Sequence, residues 1–159
     1  MKEITYLKGD ATQPQASGNK IIAHICNDIG GWGKGFVLAI SRRWAEPEKA
    51  YREWYNNRLS ESFGLGDIQI VQAENEIYVA NMIAQHGIIP TRETGAPIRY
   101  EAVNDCLEKL RTEAKKLDAS VHMPRIGCGL AGGTWDRIEP IILKTLSEND
   151  IDVYVYDFG

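Results

Sequence analysis

Two glycine-rich stretches carry most of the chemical potential of this chain. Residues 24–36 read HICNDIGGWGKGF and residues 123–140 read MPRIGCGLAGGTWDRIEP. Each follows an apolar run of strand character and leads into a segment with helical spacing. Glycine lets the backbone approach a ligand with no Cβ in the way. Successive N–H groups can then face an anion at a helix N-terminus, where the dipole adds on the order of 0.3–2 kcal/mol. The chemistry offered is the holding of phosphate by main-chain amides, and two such loops can hold two parts of one ligand. The titratable and polar candidates beside them are Asn27, Asp28 and His86. Asp28 can activate a water as a general base or simply cap the following helix. His86 sits in a long loop and is of the residue type that serves as acid or base near neutral pH. His24 lies inside an apolar run and reads as a satisfied core histidine. Cys128 would be a nucleophile only with its thiol pKa lowered from about 8.5, and a small buried residue is the simpler reading.

Two familiar phosphate motifs are approached by letter only. Gly33-Lys34 would need a glycine in place of Asp28 and a Ser or Thr in place of Gly35 to form a P-loop. Gly127-x-Gly129-x-x-Gly132 matches the dinucleotide-binding pattern by letter, with Asp150 and Asp152 about 20 residues on. That fold needs further strands downstream, and the sequence stops at Gly159. A nicotinamide-dinucleotide protein is therefore kept only as a minor alternative.

The elements that must position these loops follow from periodicity. EITYLK alternates, and KIIAHIC, residues 20–26, is an apolar run of the kind buried on both faces. Phe36, Val37, Ile40 and Trp44 recur at helical spacing, and a second helix is expected from Pro47 to Arg58. Strands are expected over 67–72 and 77–83, then a loop over 84–98 that is long enough to suggest function. Tyr100, Val103, Leu107, Leu110, Ala114 and Leu117 make one helical stripe. A strand over 120–126, the second glycine loop and a helix with either Thr134 or an Asp136/Glu139 capping box at its start follow, and DVYVYDF closes the chain as a strand. Strands alternating with helices imply an α/β fold, a mixed or parallel sheet with helices on both faces, and ligands in such folds collect at strand ends.

The length of 159 residues and 43% hydrophobic composition suit one domain, residues 1–159. A formal charge of −4 argues against an extended nucleic-acid-binding surface, which needs many phosphate contacts. Three cysteines without CxxC spacing suggest neither a disulfide framework nor a zinc cluster, and the acids and histidines lack metal-ligand spacing. No secretory segment or membrane span is read, so a cytoplasmic protein with no membrane association is expected.

Gly9-Asp10-Ala11-Thr12, then Asn27 with Gly30-Gly31-Trp32-Gly33-Lys34-Gly35, then Pro124-Arg125-Ile126-Gly127-Cys128-Gly129-Leu130 with Trp135, in this order, resemble a macrodomain. The resemblance runs from Tyr6 to Phe158 and is nearest the branch of terminal ADP-ribose protein glycohydrolases and ADP-ribose-1″-phosphate phosphatases. It implies a three-layer α/β/α sandwich with a mixed sheet of about six strands, binding ADP-ribose or an ADP-ribosylated substrate with no cofactor. By the resemblance, Asp10 and Ala11 meet the adenine, with Tyr156, Asp157 or Phe158 lining its pocket; the residue type alone also allows Asp10 to shape a turn by bonding nearby backbone N–H groups. Ile126, Gly127, Cys128, Gly129, Leu130, Ala131, Gly132 and Gly133 cradle the diphosphate. Asn27, Gly31, Trp32, Gly33, Lys34, Gly35 and Phe36 surround the distal ribose, with Trp32 either covering it or anchoring the loop. The cradle is expected to act without a positive side chain, which would reconcile an acidic chain with a diphosphate ligand. Trp135 is expected to pack the loop against the last helix. The glycohydrolases of this branch use a lysine after the fourth-strand region and an aspartate directly after the GCGL segment. Here NMIAQHG has no lysine and Ala131 occupies the aspartate position, so hydrolysis of an ADP-ribose derivative, whether ADP-ribosylated protein or nucleic acid, ADP-ribose 1″-phosphate or O-acetyl-ADP-ribose, would fall to Asn27, Asp28 or His86. A non-catalytic ADP-ribose reader is the alternative.

Overall fold

The computed structural model describes residues 2–158. The strands are β1 (Thr5–Lys8), β2 (Lys20–Asn27), β3 (Ile68–Glu74), β4 (Ile77–Gln85), β5 (Ser120–Met123) and β6 (Val153–Asp157). The helices are α1 (Phe36–Arg43), α2 (Glu46–Asn56), α3 (Tyr100–Leu117) and α4 (Trp135–Thr145). The strands form one sheet in the order β1-β6-β5-β2-β4-β3, parallel throughout except for the β3–β4 hairpin. The expected mixed six-stranded α/β sandwich is present.

The pleat of β2 explains the layering. Ile21 and Ala23 join Val103, Leu107, Leu110, Ile138 and Ile142 under α3 and α4, while Ile22 and Cys26 join Val37, Ile40, Tyr51 and Trp54 under α1 and α2. Alternate side chains of one strand leave on opposite faces, so a strand covered on both sides must be apolar throughout. Each fully buried Ile or Leu contributes about 1.5–3 kcal/mol.

Several boundaries differ from expectation. β5 ends at Met123 rather than at residue 126, because Pro124 has no N–H to extend the ladder and Gly127 turns at φ 76. β4 continues to Gln85, so the long loop starts at His86, and bridges between Gln85 and Ile98 and between Thr91 and Gly95 organise it. α2 ends at Asn56. α4 starts at Trp135 with Thr134 at the N-cap, without a side-chain cap bond, and Pro140 lies inside it. No helix among the described residues is long and apolar enough to cross a membrane.

Candidate functional site

Parallel pairing delivers the C-terminal ends of β1, β2, β4, β5 and β6 to one edge of the sheet, and β2 lies directly beside β5. The two glycine loops therefore face each other. Gly35 is the N-cap residue of α1, with φ 83, and Gly129–Ala131 forms a short 3-10 turn after Cys128. The first amides of any helical turn have no partner within it. Both turns line a single hollow of about 360 Å³, bounded by Lys34, Gly35, Phe36 and Val37 on one side and by the run from Pro124 to Ala131 on the other. A Cβ built on Gly35 would lie 3.4 Å from Leu130 Cδ1, so the loops meet across it. A hollow of about 220 Å³ adjoins it at Phe36 and Pro124, and one of about 440 Å³ adjoins it at Lys34, Val37 and Leu130. Together they form a groove along the sheet edge. A further hollow of about 510 Å³ lies at the opposite edge, where Lys2, Lys115, Asp118 and Asp152 line it, remote from both glycine loops.

The smallest hollow is lined by Gly9, Asp10, Ala11, Arg42, Tyr156 and Phe158. Asp10 shapes its own turn: Oδ1 accepts from the Thr12 amide (2.8 Å) and hydroxyl (2.7 Å), while Oδ2 lies 3.6 Å from the Arg43 guanidinium. Burial works against the ionised carboxyl, but the Thr12 bonds and the Arg43 charge outweigh it and hold Asp10 below the usual carboxylate range. Tyr156 is buried, its hydroxyl tied to His122 Nδ1 and the Gln15 amide. Phe158 is 86% exposed, and it is the ring whose faces are open to a ligand.

The second loop is set by a clamp. Arg125 donates to both carboxylate oxygens of Asp157, at 2.7 and 3.0 Å, and its guanidinium lies over the Tyr6 and Trp135 rings, which meet edge to face. Trp135 Nε1 donates to the Tyr6 hydroxyl, which bonds Glu139. Trp135 thus packs the loop against the last helix as expected, while Arg125 is committed to Asp157. Gly132 and Gly133 do not line the hollow; Gly133 donates to the Gly127 carbonyl at 2.7 Å and closes its own loop. Lys34 lines both larger hollows, which corrects the expectation of a cradle without a positive side chain. Burial pushes the Cys128 thiol pKa up, against the opposing charge of Arg125, so the thiol stays protonated at neutral pH and is unsuited to act as a nucleophile.

The largest hollow of the groove is lined by Asn27, Gly31, Trp32, Gly33, Lys34 and Gln85, and by Ile88, Ile89, Pro90 and Leu130. Asn27 spends its side chain on the loop: Nδ2 donates to the Gly31 carbonyl, and Oδ1 accepts from the amides of Ile29 and Gly31 and from Tyr51. Trp32 does not cover the groove; of the two expected roles it takes the second and anchors the loop, from the interior rather than at the surface. It is 3% exposed, packed against His24 and Tyr51, with Nε1 on Ser41, and it forms the floor. Asp28 and His86, 58 residues apart, are brought together: Asp28 Oδ2 bonds His86 Nδ1 at 2.7 Å and Oδ1 accepts from the Gly87 amide. The pair ties the β2 and β4 loops at the rim and is absent from the residues lining the groove. His24 is buried, bonded to Asn81 at 2.5 Å, and burial holds it neutral with a pKa of about 4. Ile88, Ile89 and Pro90 escaped the sequence reading. Their signal was an apolar IIP in a loop with no stripe to join.

Comparison with known proteins decides the family. The Macro domain model matches residues 23–142. The chain belongs to the macrodomain family. A solved structure of a protein of unknown function from Bacteroides thetaiotaomicron superposes on this macrodomain with a TM-score of 0.95 at 57% identity, over 98% of each chain. The chromodomain-helicase-DNA-binding protein 1-like of Mus musculus is 34% identical over 98% of this chain, which spans only 18% of that protein. The ADP-ribose 1″-phosphate phosphatase of Meyerozyma guilliermondii is 26% identical, over 98% of this chain and 99% of its own.

Proposed function

We propose that this macrodomain binds ADP-ribose in the groove at the strand ends and hydrolyses a derivative of it. The observation that carries the reading is the convergence of two helical-turn N-termini on one hollow, flanked on either side by a further hollow. In this reading the adenine lies beside Asp10 and Ala11 against Phe158, with Tyr156 as the back wall. The diphosphate takes amides from the run between Ile126 and Ala131 and from Phe36 and Val37, with Lys34 adding one charge. The distal ribose lies over Trp32 beside Gly31, Gly33 and Gly35, and Asn27 positions that loop without touching the reaction. Gly132 and Gly133 keep the cradle closed. Hydrolysis is assigned to the Asp28–His86 pair: the carboxylate orients the imidazole through Nδ1, leaving Nε2 to take a proton from the attacking water. The phosphatase relative supports an ADP-ribose derivative as substrate.

A second reading, binding without catalysis, is favoured by one specific observation: Asp28 and His86 stand at the rim and line none of the groove. One panel separates the readings. Wild type, Asp28→Ala and His86→Ala are each titrated with ADP-ribose and with NAD, then incubated with ADP-ribosylated protein, ADP-ribosylated DNA and ADP-ribose 1″-phosphate. The enzyme reading expects ADP-ribose binding by all three proteins and turnover of at least one substrate by wild type, reduced about 100-fold or more in each variant. Unchanged substrates throughout would leave a reader module, and NAD binding without ADP-ribose binding would overturn the ADP-ribose assignment.

A further inference from the structure

Charge is spread unevenly over the groove. The chain as a whole carries −4, yet around the hollow of about 220 Å³ at the β1 and β6 end, Lys8, Arg42, Arg43 and Arg125 stand against Asp10 and Asp157. Both acids are already matched. Asp10 faces Arg43 at 3.6 Å. The Arg125 hydrogen bonds, with the charges of Arg125 and Lys8, hold Asp157 below the usual carboxylate range. Arg42 is left over: it is exposed, it lines the hollow, and among the described residues it makes no ion pair or hydrogen bond. A cation in the last turn of a helix is favoured by the dipole wherever its side chain goes, which accounts for basic residues at the end of α1. It does not account for an unpaired guanidinium on the wall of a hollow.

Phe36, Ala39 and Arg42 recur every three residues, so they share one face of α1, and all three line this hollow. Phe36 and Pro124 also line the central hollow. With adenine in the smaller hollow and the diphosphate in the central one, the ribose that joins them lies over Phe36 and Pro124. Arg42 is about 9 Å farther along the helix axis than Phe36, but helical side chains lean toward the N-terminus, which carries a long arginine back toward that ribose. We infer that Arg42 determines specificity for a phosphate monoester on the adenosine ribose, at its 2′- or 3′-hydroxyl, so that ADP-ribose derivatives phosphorylated there are preferred to ADP-ribose itself. The inference rests on the adenine placement proposed above. A guanidinium presents two parallel N–H groups to two phosphate oxygens. Since no carboxylate of the protein holds Arg42, no existing pair has to break, and a dianion meets a region with cations to spare.

The test is calorimetric titration of wild type and Arg42→Gln with ADP-ribose, 2′-phospho-ADP-ribose and 3′-phospho-ADP-ribose, at low and at high salt. Wild type should bind at least one phosphorylated form about fivefold or more tighter than ADP-ribose at low salt, and the two phosphorylated ligands tell which hydroxyl is read. That ratio should shrink at high salt and fall toward one in Arg42→Gln. Each ratio is taken within one protein, so a general effect of the substitution on α1 cancels. Equal affinity for all three ligands in a wild type that binds ADP-ribose would overturn the assignment and leave ADP-ribose binding intact. So would a ratio that Arg42→Gln leaves unchanged, the result expected if the guanidinium only stacks on the adenine ring. Absence of binding by wild type to all three ligands would instead remove the reading beneath it.

Discussion

A Cβ added at Gly33 meets nothing within 4 Å, whereas one added at Gly133 lands 2.4 Å from the carbonyl oxygen of Gly127. Gly33 lines the groove, outside the left-handed region, and its missing side chain leaves the groove open; in the proposed function that space is the ligand's. Gly133 leaves space for the backbone of its own loop. Gly33→Val should therefore weaken ADP-ribose binding by at least about tenfold, roughly 1.4 kcal/mol, while the thermal midpoint without ligand stays within about 1 °C. Gly133→Val should lower stability by on the order of 1–3 kcal/mol or more, since backbone cannot rotate away as a side chain can. Calorimetry of both variants, with and without ligand, checks the pair; equal loss of midpoint in the two would mean Gly33 also serves the turn. Sequence spacing marked both residues as part of phosphate loops and could not divide them, because the division depends on what each absent Cβ would touch. Asp10 is a similar case. Its turn-forming and ligand-facing readings were alternatives in the sequence, and in the structure Oδ1 is engaged by Thr12 while Oδ2 faces Arg43.

The strands carry two histidines that the fold holds neutral. Burial lowers His24 on β2 to about 4, partly opposed by the Asn81 hydrogen bond, and burial with the charge of Lys20 lowers His122 on β5 to about 4. An unfolded chain takes up these protons near pH 6.5, so between about pH 6.5 and about pH 4 the unfolded state binds more protons than the native state. Stability must then rise with pH through that window and fall as the solution is acidified, by about 1.4 kcal/mol per pH unit for each histidine at most. Urea unfolding at pH 7 and pH 5 should show a clearly lower midpoint at pH 5, and His24→Asn with His122→Asn should flatten the dependence; equal wild-type midpoints would contradict it. The elements themselves were readable to differing degrees. The α3 stripe from Tyr100 to Leu117 matched the helix at both ends, because its six apolar positions share one face. Ile126 continues the apolar run and makes β5 look longer in sequence than it is, because Pro124 and Gly127 break the ladder after Met123. The local sequence puts Ala84 and Gln85 in the loop, although β2 pairs with β4 as far as Gln85. That pairing is a long-range fact that local propensity does not encode.

At the scale of the molecule, the alternation of strands and helices identified the α/β class, and strand ends as the place for a ligand. The order β1-β6-β5-β2-β4-β3 was not readable, and it is what makes the site. Because β2 and β5 are neighbours, the loop starting at Asn27 and the loop starting at Pro124 open onto one hollow; because β4 is the next strand, His86 reaches Asp28 and Ile88 reaches the groove. In the proposed function, amides from both turns neutralise one ligand. Titration of the ¹⁵N-labelled protein with ADP-ribose, followed by amide chemical shifts, tests this most directly. The largest changes should fall together on Gly35, Phe36 and Val37 and on Gly129, Leu130 and Ala131, saturating with one affinity. Changes confined to one of the two turns, or centred on the opposite edge around Lys115 and Asp118, would contradict it.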